Sequence, residues 1–130
     1  SIHPNKRMLS SMTPTVVAKN GVPLFATGTP GGRTIINTTM QTILNVIDFD
    51  MNIARAISAP RIHHQWLPNI TRIESGFFSA DTINLYQQRG HIIDSQDSIG
   101  SAMAVYRDPE TGVLSGAADP RAADSAAVAF

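Results

Sequence analysis

The most constraining feature of this sequence is a hairpin signal followed at once by a glycine loop and a helical pattern. Thr15 to Lys19 is rich in β-forming residues, Asn20-Gly21 is a strong two-residue hairpin turn, and Pro23 to Thr27 resumes a strand. Gly28 to Gly32 (GTPGG) then interrupts the sheet. These segments predict the order strand, hairpin, strand, glycine loop, helix.

The helix that follows is predicted from Thr34 to about Ile47. Its apolar residues recur at spacings of three and four, which is typical of a helix with one buried face. The residues expected on that face are Ile35, Ile36, Met40, Ile43, Leu44 and Ile47.

Further elements are indicated along the rest of the chain. Asn52 can cap a short helix through Ala59, and Ser79 can cap a helix that runs to Arg89. Strands are expected at His91–Asp94, Ala102–Arg107 and Val113–Ser115, whereas Arg61–Pro68 is irregular or a short strand. The mixture predicts an α+β layered arrangement and a single domain over residues 1–130.

The composition excludes several classes of function. Ten basic residues balance ten acidic ones without a run of like charge, which argues against a nucleic-acid or anionic-membrane surface. The charged fraction is only 15%, which suggests that much of the surface is covered by another chain. Absence of cysteine excludes disulfide scaffolds, thiolate zinc sites and thiol catalysis. No stretch has the length of a membrane span, and residues 1–6 do not resemble a signal peptide.

The glycine loop is the first candidate site. It lies between a strand and a helix, where free backbone N–H groups and the helix dipole favour a negative charge. Such a loop suits a bound anion or the oxyanion of an acyl transfer, and it matches neither the Walker nor the dinucleotide-binding pattern. Taken alone, a tight strand-to-helix turn explains it equally simply.

The other polar segments also have simple structural explanations when taken alone. Ser10-Ser11 can be read as the polar start of the first strand, and the four histidines lack the spacing of a metal site. Ser1 could in principle be an N-terminal nucleophile, but Pro4 and the polar residues after it disfavour the core strand that such a nucleophile opens.

Taken together, these segments resemble the γ-glutamyltranspeptidase family. The matching stretches are Arg7 to Thr15 (RMLSSMTPT), Gly28 to Gly32 (GTPGG), Ile47-Asp48, Ala59 to Pro68 (APRIHHQWLP), Gly90-His91 and Gly116 to Arg121 (GAADPR). They follow the family's order and spacing over nearly the whole chain, and they resemble the C-terminal part of its small subunit.

The resemblance implies an N-terminal-nucleophile hydrolase fold, a four-layer αββα sandwich that this chain fills only in part. The rest of the small subunit and a large subunit cut from the same precursor would complete it. On the matching positions, Ser10 and Ser11 would bind the α-carboxylate of a γ-glutamyl donor. Gly31 and Gly32 would donate backbone N–H groups to the oxyanion. Water or an amine would accept the glutamyl group, no cofactor or metal is expected, and the location would be periplasmic or extracellular.

The sequence departs from the family in lacking its Thr-Thr-His segment, which carries the nucleophilic threonine, so this chain alone is expected to be inactive. Arg61 and the segment Asp119 to Arg121 are interpreted as structural. Two alternatives remain open: a related amide hydrolase such as a cephalosporin acylase, and a non-catalytic binding or assembly domain.

Overall fold

The computed structural model describes residues 2–128, so the hypothesis about Ser1 lies outside the described residues. The strands are β1 Thr15–Lys19, β2 Val22–Gly28, β3 Ile62–His63, β4 Thr71–Glu74, β5 Ile93–Gln96, β6 Met103–Arg107 and β7 Leu114–Ala118. The α-helices are α1 Ile35–Ile47, α2 Ile53–Ser58 and α3 Ala80–Gln88, and a 3-10 turn at Gly32–Thr34 precedes α1. Within residues 2–128, no helix has both the length and the apolar character needed to cross a membrane.

The predicted hairpin is confirmed. Asn20 and Gly21 both have positive φ, 54° and 78°, as a tight two-residue turn between twisted strands requires. The register of β1 and β2 shifts between Val17 and Ala18, and Pro23 pairs with Ala18 at this irregularity. A proline cannot donate to a sheet, so its position beside a bulge is one that the ladder tolerates.

The strands form two sheets. The first has the order β1-β2-β6-β7 with antiparallel neighbours, and the second has the order β3-β4-β5. In the second sheet β4 and β5 are parallel, with α3 as the connection between them. Strand β4 was not expected from the sequence, β5 begins two residues later than predicted, and β7 extends to Ala118.

One face of the four-stranded sheet carries the core. Phe25, Ala104 and Ala117 are buried there against Ile53 and Ile57 of helix α2. Along β6 the neighbours of Ala104 alternate with it, so Met103 and Val105 point to the opposite face and are each 50% exposed. The opposite face of this sheet is therefore apolar and largely exposed, although Ala127 of the C-terminal segment lies against Gly116 on it.

Helix α1 forms where it was predicted, but the prediction of its buried face was only partly right. Ile35 and Ile43 are half-buried, and Ile43 packs against the core, whereas the other four residues of that face are not buried. The buried positions are Thr38, Thr39 and Thr42, whose short side chains face the body of the protein. The long apolar residues of the expected face are instead exposed at Ile36, Met40, Leu44 and Ile47. Periodicity identified the apolar stripe correctly, yet it could not tell whether the stripe packs within this chain or against something outside it.

Candidate functional site

The glycine loop has a backbone conformation that requires glycine. Gly31 has φ 136° and Gly32 has φ 57°, both in the region that side-chain-bearing residues rarely adopt. The carbonyl of Gly31 accepts hydrogen bonds from the backbone N–H (3.2 Å) and the hydroxyl (3.0 Å) of Thr34. A Cβ atom on Gly31 would lie 2.6 Å from that hydroxyl oxygen. A side chain at Gly31 would therefore combine an unfavourable φ with displacement of the Thr34 hydroxyl from its hydrogen bond.

The N–H groups of Gly31 and Gly32 are available as donors. Both glycines are exposed, and neither N–H group donates a hydrogen bond to any other residue between 2 and 128. No side chain caps the start of the 3-10 turn or of helix α1. Because the dipole of the 13-residue helix α1 is positive at this end, an anionic oxygen is favoured here.

The segment with Ser10 and Ser11 is attached to the same helix. The hydroxyl of Thr13 donates to the hydroxyl of Thr39, 3.3 Å away on α1. Ser10 is exposed and its Oγ accepts a hydrogen bond from the N–H of Met12 (3.3 Å), while Ser11 is half-buried. The structure thus connects the predicted serine and glycine segments to the first half of α1.

A buried cluster of four charged side chains lies beside these elements. Arg61 contacts Asp119 at 2.7 Å, and Arg121 contacts Asp119 at 3.0 Å. The Nε of Arg121 also donates to Glu74 Oε1 at 2.6 Å. The two guanidinium groups balance the two carboxylates, which supports the structural interpretation of Arg61 and Arg121. Glu74 was not identified from the sequence. A signal for it existed, because Arg61 and Arg121 were both interpreted as structural while only one carboxylate, that of Asp119, was assigned with them. A second carboxylate was needed to balance the two guanidinium groups.

The hydrogen bonds of this cluster set the protonation of its carboxyl groups. Burial alone would raise the pKa of Glu74, but hydrogen bonds from Arg121 and from the N–H groups of Ile99 and Arg61 hold that pKa below its ordinary value. Burial likewise opposes ionisation of Asp119, and hydrogen bonds from the N–H groups of Arg121 and Ala102 hold its pKa down. Both carboxylates are therefore charged at neutral pH.

These depressed pKa values predict a loss of stability in acid. In the unfolded chain Glu74 and Asp119 take up protons near pH 4, whereas in the folded protein they do so only at lower pH. The unfolded state then binds more protons, so the free energy of unfolding falls as the pH falls below about 4. We expect the thermal midpoint of the full-length protein to drop over this range, and to drop less in Glu74→Gln. The exposed Glu110→Gln is the control; equal pH dependence in both variants would contradict the assignment.

Three of the four histidines make local hydrogen bonds. His63 is buried and pairs through Nε2 with Gln65 Oε1 (2.8 Å), and His64 pairs with Asn69 Oδ1 (3.0 Å). His91 pairs with the hydroxyl of Thr71 at 3.0 Å. Among residues 2–128 there is no group of three or more potential ligands that could hold a metal ion.

Comparison with known proteins gives the context for this geometry. The profile of the family described as γ-glutamyltranspeptidase matches residues 1–129. This chain belongs to the γ-glutamyltranspeptidase family. The chain is 46% identical over 124 residues to a glutathione hydrolase proenzyme of Escherichia coli, a match that covers 95% of this chain and 21% of that protein.

Solved structures agree with this family assignment. The fold matches a T380A mutant of the γ-glutamyltranspeptidase of Helicobacter pylori with a TM-score of 0.88 and 45% identity, covering 93% of this chain and 66% of that one. A cephalosporin acylase from Bacillus halodurans matches with a TM-score of 0.74 and 32% identity, over 82% of this chain and 20% of that one. The chain thus has part of the N-terminal-nucleophile hydrolase fold of the γ-glutamyltranspeptidases, and it spans about a fifth of the curated E. coli relative.

Proposed function

We propose that the protein containing this chain transfers γ-glutamyl groups from glutathione and related donors to water or to an amine, through a γ-glutamyl-enzyme intermediate. The observation that carries this proposal is the pair of free N–H groups at Gly31 and Gly32, in a chain that the family profile matches over residues 1–129. The curated E. coli relative is a glutathione hydrolase proenzyme, which supports the hydrolytic half of the activity.

Gly31 and Gly32 are proposed to form the oxyanion hole. When a nucleophile attacks the γ-carbonyl, negative charge develops on its oxygen, and two fixed N–H donors stabilise that charge without reorganising. The bonds from Thr34 to the Gly31 carbonyl hold the loop backbone in place before the reaction begins. These residues stabilise the intermediate, and the attacking group comes from outside this chain.

Ser10 and Ser11 are proposed to bind the α-carboxylate of the donor. A γ-glutamyl group carries this carboxylate a few bonds from the reacting carbonyl, so a separate polar clamp can distinguish it from other amides. Hydroxyl groups donate well to a carboxylate, and a cation elsewhere in the protein would balance its charge. The exposure of Ser10 and the half-burial of Ser11 leave this segment accessible to a ligand.

The remaining parts of the precursor are proposed as the partners of this chain. Two apolar surfaces are largely exposed within residues 2–128. One is the α1 stripe of Ile36, Met40, Leu44 and Ile47, and the other is the outer sheet face with Val16, Met103 and Val105. Surfaces of this kind usually mark contacts with other protein. The nucleophile would lie in the missing part of the small subunit and be freed by self-cleavage, and the completed enzyme is proposed to be periplasmic or extracellular.

A second candidate is a related amide hydrolase, favoured by the structural match to the cephalosporin acylase at a TM-score of 0.74. The two candidates differ in the substrate they require. A γ-glutamyltransferase needs the free α-carboxylate of its donor, whereas an acylase for other amides does not. Comparing a γ-glutamyl anilide with a glutaryl anilide, which lacks the α-amino and α-carboxylate groups, separates them.

The serine clamp is tested in the full-length protein with Ser10→Ala/Ser11→Ala. We expect the double variant to raise KM for a γ-glutamyl anilide about tenfold or more, because each lost hydrogen bond to a charged group contributes about 1.5–3 kcal/mol. The release of the chromogenic amine gives the rate. The control is Ser95→Ala/Ser98→Ala, two exposed serines at and after β5.

An unchanged KM in the Ser10/Ser11 variant would contradict the clamp. A wild-type full-length protein that neither cleaves itself nor releases the amine would contradict the enzyme proposal as a whole. Turnover of the glutaryl substrate in preference to the γ-glutamyl substrate would favour the acylase.

A further inference from the structure

The segment Ile99–Ala102, between β5 and β6, is fixed at both ends by the buried charged cluster. The N–H of Ile99 donates to Glu74 Oε1 (2.8 Å), and its carbonyl accepts from Arg61 Nη1 (2.9 Å). At the other end, the N–H of Ala102 donates to Asp119 Oδ2 (2.7 Å). Hydrogen bonds to charged partners are stronger than those between neutral groups, and all of these are buried. The segment is therefore held as rigidly as the cluster itself.

The middle of this segment touches the glycine loop. The N–H of Ser101 donates to the hydroxyl oxygen of Thr29 (3.0 Å), and Thr29 donates to the carbonyl of Pro30 (2.6 Å). The Cα of Gly100 lies 3.5 Å from the place where a Cβ on Gly31 would stand. Residues 29–31 therefore contact the segment Ile99–Ala102 as well as Thr34.

Gly100 allows this close approach. Its φ is +70°, and a Cβ atom at this position would lie 2.7 Å from the hydroxyl oxygen and 3.2 Å from the methyl group of Thr38 on α1. The same Cβ would lie 3.3 Å from the hydroxyl oxygen of Thr29. Thr38 is fully buried, so the helix side of this contact has no free space to move away, and the added atom would push on Thr29 of the loop.

We propose that Thr29 and Gly100 are positioning residues for the N–H groups of Gly31 and Gly32, and that they transmit the rigidity of the buried charged cluster to the oxyanion hole. This inference rests on the proposed function. A loop attached only to the start of a helix can shift by fractions of an ångström, and donors that stabilise developing charge lose much of their effect when misplaced. The hydrogen bond from Ser101 to Thr29 gives the loop a second attachment and so reduces that freedom.

The proposal is tested by deleting and restoring the Thr29 hydroxyl in the full-length protein. Thr29→Val keeps the shape of the side chain but leaves the N–H of Ser101 without its acceptor. We expect kcat for a γ-glutamyl anilide to fall roughly tenfold with KM nearly unchanged, because the donor's binding groups are untouched. Thr29→Ser keeps the acceptor oxygen and is expected to retain most of the wild-type kcat. Thr111→Val, in the turn between β6 and β7, is the control for loss of a threonine hydroxyl.

A second pair of variants tests the contact at Gly100. Gly100→Ala and Gly90→Ala replace glycines at similar φ, +70° and +88°, but only Gly100 has atoms within 4 Å of the added methyl group. We expect Gly100→Ala to lower kcat at least tenfold, and Gly90→Ala to leave it within about twofold. Self-cleavage and the thermal midpoint are recorded for every variant, so that a fall in kcat is read only from folded, processed protein.

The outcomes separate this inference from the proposed function. If the wild type turns over and both Thr29→Val and Gly100→Ala match it in kcat, the positioning inference is overturned and the proposed function stands. A rise in KM without a fall in kcat, or an equal fall in Thr29→Ser and Thr29→Val, also overturns it. If the wild type has no γ-glutamyl turnover, the proposed function itself has failed.

Discussion

Replacing Gly31 with alanine is expected to lower kcat for a γ-glutamyl anilide by about 10²–10³-fold in the full-length protein, the loss typical of removing one oxyanion donor. The backbone of Gly31 has φ 136°, and an added Cβ would lie 2.6 Å from the hydroxyl oxygen of Thr34. To admit this atom the Thr34 side chain must turn away and lose its bond to the Gly31 carbonyl, and alanine is strained at φ 136°. We therefore expect the N–H groups of Gly31 and Gly32 to leave their positions. KM should change little, because the oxyanion exists only after attack on the carbonyl.

The control for this variant is Gly76→Ala, in the turn between β4 and α3. Gly76 also has positive φ, +79°, but an added Cβ would meet no atom within 4 Å. It therefore measures the cost of the backbone conformation without the steric contact. Steady-state rates and the extent of self-cleavage are measured for both variants. A Gly31→Ala protein that cleaves itself and keeps wild-type kcat would show that this loop does not stabilise the oxyanion.

Removing the guanidinium group of Arg61 is expected to destabilise the protein by about 3–5 kcal/mol, the usual cost of leaving a buried ion pair without one partner. Arg61 is 2% exposed, and its side chain donates to Asp119 and to the carbonyl groups of Ile57 and Ile99. Arg61→Met fills similar space but satisfies none of these acceptors. Urea unfolding of the full-length protein, followed by circular dichroism, measures the shift in the transition.

Arg72→Met provides the matched control for Arg61→Met. Arg72 pairs with Asp94 at 3.6 Å, and the two side chains are 30% and 45% exposed. A pair this open contributes less than about 1 kcal/mol, so its loss should barely move the transition. If the urea transition shifts by a similar amount in both variants, the buried cluster contributes no more to the stability of the protein than an exposed ion pair does.

Local sequence patterns were sufficient for the elements that local chemistry determines. Asn20-Gly21 forms the predicted turn because both residues tolerate positive φ. Asn52 and Ser79 cap their helices by accepting hydrogen bonds from Arg55 N–H and Thr82 N–H. The glycine loop was likewise placed between strand and helix, although β2 extends to Gly28 and the 3-10 turn begins at Gly32. Its resemblance to the family, more than its local physics, indicated an oxyanion hole, and the roles of Gly31, Gly32, Ser10 and Ser11 stay predictions.

The tertiary structure decided what depends on contacts between distant segments. Strand β4, Thr71–Glu74, is four residues long, which is too short for its sequence pattern to reveal a strand. The burial of Glu74 could not be predicted either, because its hydrogen-bond partners Arg61, Ile99 and Arg121 are distant in sequence. The apolar stripe of α1 could be read from its spacing, but its exposure could not, because spacing carries no information on what lies opposite. Local sequence patterns were enough to place the hairpin, the helix caps and a glycine loop at a helix start. Only the tertiary structure showed Ile99–Ala102 bracing that loop, because the brace joins residues about 70 positions apart that meet only in the folded chain.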